Sequence, residues 1–146
     1  MQDSSHHHRP FASAIERLRA AGLRPTRQRL SLCRRLFEGG QVRHVTAETL
    51  HSEVLAAGVK VSLATVYNTL HQFTKAGLLR EVVVDGAKTY FDTNTSSHHH
   101  FYDVEHGDLL DIGGEGIIIE GLPQPPDGAT VERVDIVVRV RRPSRD

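Results

Sequence analysis

The sequence predicts an α+β fold in which an N-terminal winged helix-turn-helix domain precedes a small C-terminal α/β domain. Three observations carry that prediction. Apolar residues recur at helical spacing in four successive segments, a two-strand pattern with a tight-turn pair follows them, and the two halves of the chain differ in charge sign.

The 146 residues fit two small domains, and the expected division is a disordered tail at 1–9, a first domain at 10–92 and a second at 93–146. Ser4-Ser5-His6-His7-His8 lies in that tail and is set aside. The first helix runs from Pro10 to Ala21, with Phe11, Ile15, Leu18 and Ala21 on one side, and Gly22 ends it. A second runs from Thr26, which can cap it, to Phe37, with Leu30, Cys33 and Phe37 facing inward and Gly39-Gly40 stopping it. A third spans Thr46 to Ala57: Leu50, Val54 and Ala57 face the core, and Gly58 terminates it.

The fourth helix is the most informative. Ser62 can cap its N-terminus by accepting an otherwise unpartnered backbone N–H. At about 100° per residue, Leu63, Val66, Leu70, Phe73 and Gly77 fall on one stripe, while Ala64, Tyr67, Asn68, His71 and Lys75 fall opposite. An outward face that is small, aromatic and amide-bearing suits a major groove, where Asn offers paired hydrogen bonds to adenine and a methyl or ring can touch thymine. Leu78 to Val84 and Lys88 to Asp92 then read as two strands joined by Asp85-Gly86. Helices followed by a hairpin make a winged helix-turn-helix.

The formal charge of the whole chain is zero, but residues 1–92 hold 13 Lys+Arg against 8 Asp+Glu while residues 93–146 hold 5 against 10. A basic first domain attracts phosphate, and an acidic second one suits cation binding or self-association. The second half is near the lower size limit for an independent core, so burial against a copy of itself is expected. No run reaches membrane-spanning length and no charged-then-apolar leader precedes the first helix, which predicts a soluble cytoplasmic protein. The single Cys33 excludes an intrachain disulfide and a Cys-type structural zinc site, and its apolar setting predicts a core role.

Ser97-His98-His99-His100-Phe101-Tyr102-Asp103-Val104-Glu105-His106 opens the acidic half. As a strand it sends His98, His100 and Tyr102 to one face, and His99 and Phe101 to the other. Imidazole suits iron, zinc, manganese or haem iron, and the run itself does not choose between a bare ion and haem. A metal hydrolase is disfavoured, because there is no His-Glu-x-x-His pattern, no Cys-x-x-Cys pair and no clear general base, so no enzymatic activity is expected.

Taken in order, Gly22-Leu23-Arg24-Pro25-Thr26-Arg27-Gln28-Arg29, His44-Val45-Thr46-Ala47-Glu48, the Val61 to Leu70 segment, Ala76-Gly77-Leu78-Leu79 and the His run resemble the ferric uptake regulator family of metal-responsive transcription factors. The resemblance covers Leu18 to Ile112. Within the family the chain is most similar to the iron response regulator branch, through His98-His99-His100-Phe101-Tyr102, the absence of Cys pairs and the ending Val134 to Val140. The resemblance implies a homodimer that binds A·T-rich palindromic operator DNA through its first domains and pairs through its second. It implies minor-groove contact by Arg24, major-groove contact by Thr65, Tyr67 and Asn68, and metal ligation by His44, Asp92, His98 and His100.

A cation joining the two domains through those ligands would set the angle between them and so switch DNA affinity. In that branch the His run is associated with haem sensing, so haem at His98, His99 and His100 is the implied effector, with binding under low iron and release by haem. The competitor is Fe²⁺, Mn²⁺ or Zn²⁺ acting as corepressor. Glu105 and Asp108 stand near where relatives carry a Cys pair, so the zinc site of those relatives is expected to be absent. The Gly121 to Gly128 stretch reads as a loop, leaving strands near Asp108 to Ile112, Ile117 to Ile119 and Val131 to Arg141 for the second domain.

Overall fold

The structure is a computed structural model that describes residues 11–85 and 88–143. The tail at 1–9, the Pro10 start of the first helix and Gly86 of the expected turn lie outside the described residues. The chain is α+β and divides into two compact units, Met1–Thr95 and Ser96–Asp146.

In the first unit, α1 (Ala12–Ala20), α2 (Arg27–Phe37), α3 (Ala47–Ala56) and α4 (Leu63–Lys75) follow one another. Each of the last three starts where a hydroxyl residue precedes the apolar pattern. The backbone N–H groups of Arg29, Thr49 and Thr65 donate to the side-chain oxygens of Thr26, Thr46 and Ser62 at 3.3, 3.1 and 3.1 Å, which satisfies one orphan donor per helix. The helices on either side of the short α3–α4 connection also end alike. Gly58 and Gly77 take φ of +85° and +84°, a left-handed turn that lets the next amide reach back, Val59 to the Val54 carbonyl and Leu78 to that of Phe73.

Closing α4 in this way uses the Leu78 amide, so the following strand begins later than the sequence pattern implied. β2 (Arg80–Asp85) and β3 (Lys88–Asp92) pair antiparallel, and a two-residue β1 (His44–Val45) adds a third strand on the other side of β3. The sequence reading missed β1 because two residues are too short to show alternation. Its register sets His44 opposite Asp92 and Val45 opposite Phe91.

Leu18, Leu32, Leu36, Val45, Leu50, Val66, Leu70, Phe73 and Phe91 are fully or nearly fully buried and form the centre of this unit's core. Three residues assigned to apolar faces stay exposed, Ala57, Leu63 and Gly77, the last of them past the end of α4. Ala57 is exposed after the end of α3, and Leu63 stays 37% exposed because the first helical residue has no preceding turn beside it.

The second unit is a three-stranded sheet of order β5-β4-β6, from β4 (His99–Asp103), β5 (Leu109–Ile112) and β6 (Val137–Val140). β5 runs antiparallel to β4, whereas β6 is parallel to it, so β5 ends and β6 begins at the same end of the sheet, on either side of the start of β4. The expected strand at Ile117–Ile119 is not formed. A 3-10 turn occupies Gly114–Gly116 and Ile118 is 85% exposed; glycines on both sides and the Pro123-Gln124-Pro125-Pro126 run deprive these isoleucines of a partner strand. For the same reason β6 is confined to four residues of the expected Val131 to Arg141.

Candidate functional site

The outer face of α4 is built as its spacing implies, with one correction. Ala64, Asn68, His71 and Lys75 are exposed, and Val66, Leu70 and Phe73 are buried. Tyr67, expected to point fully outward, is half-buried and packs against the edge of the core. At about 100° per residue it lies about 90° from the centre of the apolar stripe, on the border between faces. Its ring stacks on His71, with centroids 5.9 Å apart and planes at 23°, and His71 in turn meets Phe91 edge-on at 5.4 Å. Thr65 is half-buried, its hydroxyl accepting from Ser62 Oγ at 2.9 Å. Arg24 is exposed ahead of α2.

A second feature of the first unit is the β1–β3 pair. Nε2 of His44 lies 3.1 Å from Oδ2 of Asp92, a fully buried carboxylate whose Oδ1 accepts from the Asn94 amide at 2.8 Å. Cross-strand register places these two side chains together.

In the second unit, alternation along β4 behaves as expected. His98 and His100 share one side, each with Nε2 at 3.2 Å from Oδ1 of Asp111 on β5, and their rings lie 4.5 Å apart. His99 faces the other way, and its Nδ1 accepts from the Ile136 amide at 3.1 Å. Asp111 was missed by sequence reading, which recognised its strand but not its register; the pairing of His100 with Asp111 is what brings it in.

The chemistry of this trio fits a cation. Nδ1 of His98 is 2.5 Å from the Ser96 carbonyl, and since a carbonyl only accepts, Nδ1 donates there and leaves Nε2 to face Asp111. Two ring nitrogens converge on one carboxylate oxygen, an arrangement that a bound cation satisfies. His98, His100 and Asp111 offer ligand atoms within 4.8 Å of one another, and such an N/O donor set suits Mn²⁺, Fe²⁺ or Zn²⁺.

Away from these residues the ionisable groups have structural jobs. Burial opposes ionisation of Asp103, yet hydrogen bonds from His106 Nδ1 and from the His106 and Glu105 amides outweigh it and hold the carboxyl below its ordinary range. Nε of Arg142 sits 2.9 Å from the same carboxylate. Burial pushes the Cys33 thiol up to about 11, against the pull of Arg17, so it remains a protonated core residue. Among the described residues no helix is long and apolar enough to cross a membrane.

Residues 20–123 match the model of the ferric uptake regulator family. The chain is 32% identical over 101 residues to the ferric uptake regulation protein of Vibrio anguillarum, covering 68% of this chain and 67% of the relative. It is 37% identical over 96 residues to that of Pseudomonas aeruginosa, covering 65% and 71%. Among solved structures, the Pseudomonas aeruginosa ferric uptake regulator with manganese superposes with a TM-score of 0.66 at 29% identity, over 88% of this chain and 97% of that one. The Vibrio cholerae regulator superposes with a TM-score of 0.67 at 21% identity, over 88% and 99%, and supports the fold.

Proposed function

The chain belongs to the ferric uptake regulator family of metal-responsive, DNA-binding transcriptional regulators, which are not enzymes, and we propose that it is a cytoplasmic homodimeric repressor whose operator affinity rises when a divalent ion binds. The observation that carries this reading is the His98–His100–Asp111 trio. The ligands we assign in the second unit are His98, His100 and Asp111, and the His44–Asp92 pair is a candidate within the first. When bound, a divalent cation supplies a fixed positive charge that several imidazole and carboxylate donors share. A ligand ordering the sheet of the second unit, through which the dimer is assigned to pair, links metal occupancy to DNA affinity.

Reading is assigned to α4. Asn68 and the border residue Tyr67 address base edges, Thr65 lies beside them, and Arg24 reaches the A·T-rich minor groove of a palindromic duplex. Dimerisation is assigned to the second unit. Cross-strand register aligns Leu110, Phe101 and Val138 in one row, and they remain 43%, 38% and 38% exposed, an apolar strip that a second copy would cover.

Haem as effector is the finer reading of the resemblance, and this geometry favours the bare ion over it. The three imidazoles are only 4%, 8% and 2% exposed, and the His99 Nδ1 takes a backbone N–H. An axial haem ligand needs an open face for the macrocycle. The deciding experiment is a gel shift on A·T-rich palindromic DNA with chelator, Mn²⁺, Fe²⁺ and haem in turn. Tighter binding with metal and no release by haem is expected; release by haem with no response to metal would reverse the assignment.

A further inference from the structure

Arg29, on the first turn of α2, spends its guanidinium inside the domain. Its Nε and Nη2 donate to Oε1 of Gln72 on α4 at 3.3 and 2.9 Å, and its Nη1 donates to the backbone carbonyl of Arg24 at 2.9 Å. One planar fork therefore joins the loop ahead of α2 to the fourth helix. Only a guanidinium presents donors in a fixed plane that spans two such acceptors; an ammonium is a single point on a flexible stem.

Leu23 and Thr26 anchor the two ends of this loop, by a backbone bond to Leu18 and by the α2 cap, and the Arg29 fork holds the stretch between them. Pro25 has no N–H to donate, and the Arg24 side chain is exposed. A segment left to itself must be ordered when DNA binds, and that ordering weakens association.

We propose that Arg29 is a positioning residue for DNA reading: through Gln72 and the Arg24 carbonyl it locks the Arg24 segment against α4, so that minor-groove and major-groove contacts meet the duplex in one register. The inference rests on the DNA-reading assignment above. It differs from a phosphate contact, the ordinary role of a cation in a basic domain, because geometry matters here and charge alone does not.

The test uses the full-length protein, a duplex enriched by the wild type from a random pool, and a scrambled duplex. Arg29→Lys keeps the charge but loses the fork, so affinity for the enriched duplex should fall about tenfold while the scrambled duplex and the salt slope are unchanged. Gln72→Leu, on the exposed side of α4, should reproduce that loss. Gln72→Glu should keep the ratio of the two affinities, since a carboxylate accepts the same bonds. Amide exchange across residues 22–26 should quicken in Arg29→Lys without DNA. An Arg29→Lys protein with wild-type selectivity and unchanged exchange would overturn the clamp alone, as would equal losses on both duplexes. A wild type that enriches no sequence would instead overturn the regulator reading and, with it, this role.

Discussion

In the first unit the fully buried side chains are mostly hydrocarbon, Phe73, Phe91, Leu70, Leu50 and Leu36 among them, with Asp92 the exception. In the second unit they are mostly imidazoles and a carboxylate, His98, His99, His100 and Asp103, with Tyr102 and Leu109 the buried apolar residues among those described. The difference concerns more than composition. Apolar burial is non-directional and self-sufficient, whereas buried polar groups stabilise only when every partner is present. The first unit thus carries its own core, and the second has its cohesion tied to what its polar groups bind.

The widest gap should appear on deleting a side chain from each unit. Phe73→Ala empties the centre of a packed core and is expected to cost about 3–5 kcal/mol. Ile118→Ala, at a position 85% exposed, should leave the melting transition within about 0.5 kcal/mol of the wild type. Comparable losses in a denaturant titration would refute a division into a self-sufficient unit and a partner-dependent one.

Metal should matter next, and through the second unit. Mn²⁺ at about one hundred times its Kd should stabilise the wild type by about 2.7 kcal/mol, by mass action on the folded state. His100→Ala removes a ligand that is only 2% exposed and should abolish most of that gain. Calorimetry with and without chelator measures it; a variant still stabilised like the wild type would remove His100 from the ligand set.

How far each unit was legible follows the same contrast. In the first, caps, stop signals and apolar periodicity are local, and Thr26, Thr46, Ser62 and Gly58 all sit where the spacing put them, whereas Gly77, placed on the apolar stripe of α4, instead ends that helix. Leu63 and Tyr67 fell at the margins of a stripe, where periodicity resolves position poorly. In the second, the decisive facts are registers between strands far apart in the chain. That Asp111 joins His98 and His100, and that the Ile117–Ile119 run finds no partner, depends on which residues stand opposite. The His run pointed to a candidate ligand site, and the strand pairing sets Asp111 beside it.

A smaller effect separates reading from folding within the first unit. Tyr67→Ala should weaken binding to the preferred duplex by about 1–3 kcal/mol and leave nonspecific binding nearly intact. Because the ring also packs on the core edge, a modest loss of stability should accompany it. Fluorescence anisotropy on matched and scrambled duplexes distinguishes the two; parallel losses would mean that the ring is structural only.

The smallest change tests the polar cohesion of the second unit directly. The folded Asp103 carboxyl is held below its ordinary value of 3.8, so near that pH the folded state binds fewer protons than the unfolded chain. Its contribution is therefore complete above about 3.8 and fades as pH falls through the lower folded value. Asp103→Asn keeps an oxygen to accept the Glu105 and His106 amides but loses the charge facing Arg142, itself 36% exposed and solvated. The bond from His106 Nδ1 is lost as well, so stability at neutral pH should fall, while the acid-induced loss of strand signal becomes shallower in circular dichroism. An unchanged acid transition would mean that this carboxylate, though buried, is not what couples the second unit to pH.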